Sequence, residues 1–273
     1  MAVAEIDGVK VGYELHGPAD GEPVLLLGGT SMPRGVWTMM QLPALADAGY
    51  RVAAVDPRGI GESSTTEGAC TIAELAADAV GLMGYLGWSQ ARMMGLSQGG
   101  FVVEYLAAQR PELVRSAVLL ASAGPTTAYQ RAWFSAMRAM FAAGPVPEEF
   151  FIAENLMNTL PAGQLRDDDA LVEQWVELLS AKPWDTAGDR GQYLACIEWM
   201  LDVDHAARWP TITAPVLVLA LEHDLLFPPR AGRVAAAAMP GGTFLEIAGH
   251  AHGGAIEAGD QITPPVLDFF ARH

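Results

Sequence analysis

Short runs of apolar residues alternate with amphipathic helical patterns along most of this chain. Runs of strand length without polar interruption are typical of strands that are buried on both faces of a parallel sheet. Strands that alternate with helices predict an α/β fold, with a mostly parallel central sheet and helices on both faces. The apolar runs lie at residues 23–28, 50–56, 116–124, 215–222 and 243–248, and the helical patterns at 39–49, 71–87, 99–114 and 229–239.

The segment before the first apolar run has a different pattern. Residues 9–16 (VKVGYELH) alternate loosely between apolar and polar side chains, and they end at Gly17-Pro18. We interpret this segment as an edge strand followed by a turn.

One long stretch interrupts the alternation of strands and helices. Residues 125–210 contain no convincing strand, but they contain helical segments that are rich in aromatic and methionine side chains. The segment PTITAP at 210–215 marks the return to the sheet. We therefore predict a sheet core formed by residues 1–124 and 211–273, with a helical cap inserted at 125–210.

Charge and composition narrow the classes of partner. The chain has 273 residues with 16 Lys+Arg and 32 Asp+Glu, and its formal net charge is −16. Such a chain repels phosphate backbones and anionic membranes, so we expect a small-molecule substrate and neither nucleic-acid nor membrane binding.

Cys70 and Cys196 provide no disulfide framework. No apolar run reaches the length of a membrane span and no signal peptide is evident, so we expect a cytoplasmic protein. For its oligomeric state, we expect either a monomer or a homodimer.

The segment MMGLSQGG at residues 93–100 is the first candidate for chemistry. A short apolar piece runs into Gly95, and an amphipathic helix begins at Gln98, so Ser97 lies on a sharp turn from strand to helix. Glycines two residues before and after the serine allow the close backbone approach that this turn requires. The turn directs the hydroxyl of Ser97 outward at the carboxyl edge of the sheet, where open α/β sheets bind ligands.

A serine nucleophile needs a base, and the base needs an acid that orients it. Asp224 follows the apolar run VLVLAL and His250 follows FLEI, so the order is serine, acid, base, each after a predicted strand. Glu222 is a weaker alternative to Asp224. His252 is the alternative to His250, and we favour His250 because it lies nearer to the predicted strand end.

Hydrolysis also requires hydrogen-bond donors for the oxyanion that develops on the substrate. One expected donor is the main-chain N–H of Gln98, at the first turn of its helix. The other is the main-chain N–H of Thr30, in the loop GGTSMP, because Gly28-Gly29 would let that loop approach Ser97.

These residues together resemble the α/β-hydrolase superfamily over nearly the whole chain outside the insertion. Residues 95–99 (GLSQG) match its nucleophile elbow, and residues 56–63 (DPRGIGES) match a turn that we interpret as structural. Asp224 with Pro228 matches the acid loop, and Gly249-His250 matches the histidine loop. The chain departs from most members in having Gly28-Gly29 where they have His-Gly, and this version resembles the methylesterases that act on bacterial polyketides.

The resemblance implies a capped serine hydrolase that needs no metal and no cofactor. Epoxide hydrolases and haloalkane dehalogenases of this fold use an aspartate at the elbow, so Ser97 argues against both. The expected activity is cleavage of an ester, lactone or thioester bond in a largely apolar, small-to-medium substrate through an acyl-enzyme. Hydrolysis of a C–C bond, perhydrolase activity, a cyclase or lyase on the same scaffold, and a non-catalytic ligand receptor remain open.

Three aromatic residues are candidates for contact with the substrate. Trp37 lies beyond the loop GGTSMP that carries Thr30, Phe227 lies in the acid loop, and Trp133 lies in the predicted cap. Most of the other large apolar side chains of the cap are expected to form its own core.

Overall fold

The computed structural model describes residues 2–65, 68–181, 186–202 and 204–273. The described strands are β1 (Ala2–Ile6), β2 (Val9–His16), β3 (Pro23–Leu27), β4 (Arg51–Val55), β5 (Ala91–Leu96), β6 (Val114–Leu120), β7 (Val216–Leu221) and β8 (Gly242–Ile247). They form an eight-stranded sheet in the order β1-β2-β4-β3-β5-β6-β7-β8. The pairs β1·β2 and β2·β4 are antiparallel, and the other pairs are parallel.

Helices cover both faces of this sheet because the central strands are apolar on both faces. In β3, Val24 and Leu26 belong to one core, whereas Leu25 and Leu27 belong to the other, as the two-residue repeat of a strand requires. The described helices of the sheet region are α1 (Leu42–Asp47), α2 (Ile72–Tyr85), α3 (Gln98–Gln109), α9 (Pro229–Ala238), α10 (Gly254–Glu257) and α11 (Gly259–Arg272). Helices α2, α3 and α9 contribute to the core that contains Leu25, and α1 and α11 to the core that contains Val24. The predicted α/β fold class is confirmed.

The prediction of an edge strand at residues 9–16 is wrong. The strand itself spans these residues, but β1 pairs with its outer side from Ala2 to Ile6, so β1 lies at the edge instead. The loose alternation in β2 reflects its antiparallel position near the edge, where its residues range from buried to exposed.

The interruption of the pattern between β6 and β7 corresponds to a series of helices. They are α4 (Ala128–Ala143), α5 (Glu148–Thr159), α6 (Ala162–Asp167), α7 (Asp169–Ser180) and α8 (Ala187–Leu201), followed by a 3-10 helix at His205–Thr211. We call α4 to α8 the cap helices. The exact limits at 125 and 210 stay a prediction. Among the described residues, none of the helices has both the length and the apolar character needed to cross a membrane.

The turn from β5 into α3 depends on two glycines. A Cβ atom on Gly95 would lie 2.2 Å from the main-chain oxygen of Gly99, and one on Gly99 would lie 2.0 Å from the oxygen of Leu27. Both distances are far below van der Waals contact, so the chain can follow this path only with glycine at both positions. Between them, Ser97 has φ 51 and ψ −119, which is strained for a residue with a side chain.

This packing predicts the effect of Gly99→Ala on stability. The added methyl group must displace the end of β3, so we expect the free energy of unfolding to fall by about 3 kcal/mol. Thermal and denaturant unfolding measure the change. Gly84→Ala is the matched control, because Gly84 lies in α2 and a Cβ there would meet nothing within 4 Å. The control should gain about 0.5–1 kcal/mol through helix propensity. Equal stability of the two variants would contradict this account.

Candidate active site

Ser97, His252 and Asp224 form a continuous chain of hydrogen bonds at the carboxyl edge of the sheet. The Nε2 atom of His252 lies 3.2 Å from the Oγ atom of Ser97, and its Nδ1 atom lies 2.8 Å from Oδ2 of Asp224. Ser97 begins α3 after β5, Asp224 follows β7, and His252 follows β8, so each side chain enters from the end of a different strand. This is the geometry in which an imidazole can take a proton from the serine hydroxyl while a carboxylate orients the ring.

The structure corrects our preference for His250. The ring of His250 points away from Ser97 and lies 3.1 Å from the amide nitrogen of Gln261, in a partly exposed position. Its main chain is held from the acid loop, since the N–H of His223 donates to the oxygen of His250 at 2.8 Å. Nearness to the strand end was the wrong criterion, because the loop after β8 must extend further before a side chain reaches Ser97.

The histidine loop reaches Ser97 by packing against the end of cap helix α5. The main-chain N–H of His252 donates to the oxygen of Asn158 at 3.3 Å, and that of Gly253 donates to the oxygen of Thr159 at 3.0 Å. A Cβ on Gly253 would lie 2.2 Å from Cγ2 of Thr159, so this contact requires glycine. The pair Gly253-Gly254, directly after His252, is therefore the sequence signal from which His252 could have been chosen.

Asp224 occupies the position that the sequence predicts, and its own geometry is held by the acid loop. It is buried, and its Oδ1 atom accepts the main-chain N–H groups of Leu226 at 2.8 Å and Phe227 at 2.9 Å. The alternative, Glu222, is exposed and accepts the N–H of Gly249 at 2.8 Å. Glu222 therefore supports the histidine loop from outside and does not reach His252.

The environment of His252 favours its protonated form. Burial alone disfavours the imidazolium, but the charge and hydrogen bond of Asp224, together with the charge of Glu154, outweigh it. The pKa of His252 is consequently raised above its ordinary value. A raised pKa strengthens the ring as a base and stabilises the imidazolium that forms when Ser97 gives up its proton.

The two predicted oxyanion donors lie beside Ser97. A Cβ on Gly29 would lie 3.4 Å from the Cβ atom of Ser97, which brings the loop containing Thr30 against the serine. Among the described residues, no acceptor is found for the main-chain N–H of Thr30 or of Gln98. Both N–H groups are thus free to bind a developing oxyanion, and their role stays a prediction.

Gln192 of cap helix α8 holds the loop that carries Thr30 and Ser31 in place, and no sequence pattern singled it out. Its side-chain oxygen accepts the N–H of Ser31 at 2.7 Å, and its side-chain nitrogen donates to the oxygen of Arg58 at 2.7 Å. Its main-chain oxygen accepts the side-chain N–H of Gln98 at 2.6 Å. Fully buried Gln192 therefore links the oxyanion loop, the turn at 56–63 and the start of α3.

The turn at residues 56–63 has the structural role that we expected. Buried Asp56 accepts the main-chain N–H groups of Arg34 at 2.8 Å and Glu62 at 3.0 Å, and it pairs with the guanidinium of Arg34. Its side chain is thus committed to holding the turn rather than to chemistry.

Ser97 and His252 open into a cavity of about 500 Å³ between the sheet and the cap helices. Phe227 and Trp133 line this cavity, so their contact with substrate stays a prediction, and the ring of Phe227 also packs on His252 with 5.5 Å between centroids. Trp37 does not line it. The Trp37 side chain is fully buried in the core on the α11 face of the sheet, so its predicted contact with substrate is wrong.

Three further groups in the cavity wall, Tyr193, Cys196 and Glu154, have a perturbed pKa, and burial raises that of the Tyr193 hydroxyl. Burial raises the pKa of the Cys196 thiol to about 12, so this side chain does not compete with Ser97 as a nucleophile. Burial raises the pKa of Glu154 to about 7, against the smaller opposing effects of a hydrogen bond from Asn158 and the charge of His252. Among the described residues, no group of three or more His, Cys, Asp or Glu side chains is arranged to hold a metal ion.

Comparisons with known proteins agree with this geometry. The sequence model of the family described as "alpha/beta hydrolase fold" matches residues 22–258. The chain is 32% identical over 265 residues to a Mycobacterium tuberculosis protein named "Putative non-heme bromoperoxidase BpoC", covering 96% of this chain and 98% of that protein. The solved structure of Rv0554 from Mycobacterium tuberculosis superposes with a TM-score of 0.86 at 31% identity, covering 96% of this chain and 94% of the other. The enol-lactonase from Burkholderia xenovorans LB400 superposes with a TM-score of 0.77 at 25% identity, covering 99% and 100%.

The site geometry predicts different outcomes for the two histidines. His252→Ala should lower kcat on an activated ester by at least about 10³-fold, because it removes the base from Ser97. His250→Ala is the matched control and should stay within about threefold of the unchanged protein, since its ring is hydrogen-bonded to Gln261 and not to Ser97 or Asp224. Steady-state kinetics on purified variants measure both values. A large loss in His250→Ala with an active His252→Ala would contradict the assignment.

The charge of Glu154 predicts a shift in the pH dependence. Activity requires neutral His252, so kcat/KM should rise with pH through the raised pKa of this ring, above its ordinary value of about 6.5. Glu154→Gln removes a negative charge that favours the imidazolium, so this rise should move to lower pH. The measurement is kcat/KM across pH 5 to pH 9. Glu149→Gln, an exposed position on the same helix, should leave the profile in place. A profile of Glu154→Gln that is unchanged or moved upward would refute the coupling.

Proposed function

Because this chain belongs to the α/β-hydrolase family, we propose that it is a serine hydrolase that forms an acyl-enzyme on Ser97. The bond that it cleaves is an ester, lactone or thioester of a largely apolar, small-to-medium substrate. The observation that carries the proposal is the chain of hydrogen bonds from Ser97 through His252 to Asp224 inside a cavity of suitable size.

In the proposed reaction, His252 takes the proton of the Ser97 hydroxyl while Oγ attacks the carbonyl carbon. The electron pair of the carbonyl π bond moves to oxygen, where the N–H groups of Thr30 and Gln98 bind it. Asp224 stabilises the imidazolium. Collapse of the tetrahedral intermediate expels the alkoxide or thiolate, which takes the proton from His252.

The second half of the reaction repeats the first with water in place of the serine. His252 takes a proton from water, the hydroxide attacks the acyl carbonyl, and the carboxylic acid leaves as Ser97 recovers its proton from His252. No step needs a metal or a redox cofactor.

The cavity wall supports a largely apolar substrate. Most of its described residues are apolar, including Met137, Phe134 and Ile197 from the cap helices. None of the described lining residues is a lysine or an arginine, so the wall offers no partner for a polyanionic substrate. The structural similarity to an enol-lactonase supports lactones as members of the candidate substrate class. A cytoplasmic location and the choice between monomer and homodimer stay predictions.

A panel of p-nitrophenyl esters from acetate to long acyl chains, extended by simple lactones and thioesters, tests this function. We expect turnover that peaks at short to medium acyl chains and falls by at least about 10³-fold in Ser97→Ala. A fluorophosphonate should label the protein at Ser97, which peptide mass spectrometry identifies. Turnover that survives in Ser97→Ala would disprove the nucleophile assignment. Absence of both turnover and labelling would favour the receptor, cyclase or lyase instead.

A further inference from the structure

One carboxyl group lies in the wall of the largely apolar cavity. Glu154 of cap helix α5 is 8% exposed, and it lines the same cavity as Ser97 and His252. Of the described residues that line this cavity, it is the one carboxylate. A buried carboxyl without a cationic partner costs folding free energy, so its position calls for a reason.

The fold does not supply that reason. The side-chain partners of Glu154 among the described residues are Asn155, which donates to Oε2 at 3.0 Å, and Asn158, which donates to Oε1 at 2.9 Å. Both neighbours belong to the same helix, so these hydrogen bonds join no other element to α5, and the interaction of the carboxyl with His252 is one of charge. An apolar side chain at this position would pack into the cavity wall without the desolvation cost, and we infer that binding rather than folding accounts for the glutamate.

The hydrogen-bond inventory of this cluster shows what it lacks. The amide nitrogen of Asn155 also donates to the oxygen of Phe151 at 2.9 Å, and that of Asn158 also donates to the main-chain oxygen of Glu154 at 3.0 Å. Each amide nitrogen has two hydrogens, so both amides have spent their donors. Each carboxylate oxygen keeps a further acceptor site, and the buried Oδ1 atom of Asn158 has no partner among the described residues. When Glu154 is ionised, the cluster therefore has spare acceptors on Glu154 and Asn158, while the hydroxyl of Tyr193 in α8 bonds with Asn155.

The cluster lies on the histidine side of Ser97. Glu154 and His252 are close enough for each charge to affect the pKa of the other. The same helix carries the oxygens of Asn158 and Thr159, to which the histidine loop is bonded. In a serine hydrolase the histidine protonates the leaving group, whereas the carbonyl oxygen points to the oxyanion donors. A group that reaches Glu154 therefore belongs to the leaving-group side of the substrate.

We propose that Glu154, Asn155 and Asn158 form a polar subsite that binds a hydroxyl group, as hydrogen-bond donor, on the leaving-group part of the substrate. This inference rests on the proposed function for the identity of the leaving group. It narrows the substrate class to esters of alcohols that carry a second hydroxyl, or to lactones that release one. Anionic leaving groups are disfavoured when Glu154 is ionised, because the carboxylate would repel them and the spare atoms of the subsite are then acceptors.

Matched esters that differ only by the hydroxyl test the subsite. The probes are monoacetates of linear diols, which keep one free hydroxyl, and acetates of the alkanols of equal length, from ethyl to hexyl. Release of acid measures the hydrolysis of each ester. At the best length, the unchanged protein should prefer the hydroxyalkyl ester in kcat/KM by about tenfold, which is typical of one buried hydrogen bond. In Glu154→Leu the preference should reverse in favour of the alkyl ester, since an apolar side chain replaces the carboxyl acceptors of the subsite. Glu154→Gln keeps one acceptor, so its preference in kcat/KM should lie between that of the unchanged protein and that of Glu154→Leu.

Control variants separate recognition from stability. Glu149→Leu, at an exposed position of the same helix, should keep the ratio of the unchanged protein. Glu154→Leu should melt at or above the temperature of the unchanged protein, because it removes a buried carboxyl. If Glu154→Leu instead fails to fold, the ratio in Glu154→Gln carries the test. An unchanged ratio in the Glu154 variants would overturn the proposal, as would a preference for a hydroxyl on the acyl side alone.

A binding measurement distinguishes failure of the subsite from failure of the proposed function. The acetamides of aminoalkanols and of the alkylamines of equal length resist hydrolysis, and calorimetry reports their binding to Ser97→Ala. Tighter binding of the hydroxylated amide, lost on adding Glu154→Leu, would support the subsite even if no ester is hydrolysed. Ester turnover that depends on Ser97, without discrimination by either assay, would overturn the subsite and leave the hydrolase function standing.

Discussion

The positive φ angle of Ser97 is the constraint on which the rest of the site depends. A non-glycine residue in this conformation costs about 1–3 kcal/mol, and it persists only where the surroundings hold it. Here the N–H of Ser97 is bonded to the oxygen of Leu120 in β6 at 2.9 Å, and the flanking glycines permit backbone contacts that no side chain would allow. This conformation turns the chain from β5 into α3, which begins at the next residue, Gln98.

The cap helices complete this site rather than only covering it. Ser97 and Asp224 are positioned by the sheet, whereas His252 and the loop that carries Thr30 are held by the cap helices. The end of α5 accepts the main-chain N–H groups that bring His252 to Ser97, and Gln192 in α8 fixes the loop that carries Thr30. A cap that moved away would therefore disturb both the position of His252 and the loop that carries Thr30. Substrate selection and catalytic geometry consequently depend on the same helices.

Local patterns were enough to predict the parts of the molecule that local rules determine. Apolar runs predicted the buried strands, and two glycines predicted the turn at Ser97, because both features follow from local patterns and backbone sterics. The placement of β1 at the edge, the choice of His252, the burial of Trp37 and the bonds of Gln192 depend on contacts between distant segments. No periodicity in the sequence encodes them. Helix α11, with Pro264 and Pro265 near its middle, was missed because proline argues against a helix interior.

Glu154 could not be singled out by the same methods, because an acid in an amphipathic helix ordinarily faces solvent. Its burial beside His252 has a consequence for catalysis. A hydroxyl that donates to Glu154 favours the ionised carboxylate, since hydrogen bonds to the charged form lower its pKa. The carboxylate in turn favours the imidazolium, which, at a pH above the raised pKa of His252, would form in the proposed reaction as Ser97 attacks. A substrate that fills the proposed subsite would thus strengthen an interaction that is larger in the transition state than in the ground state, so recognition there would raise kcat as well as lower KM.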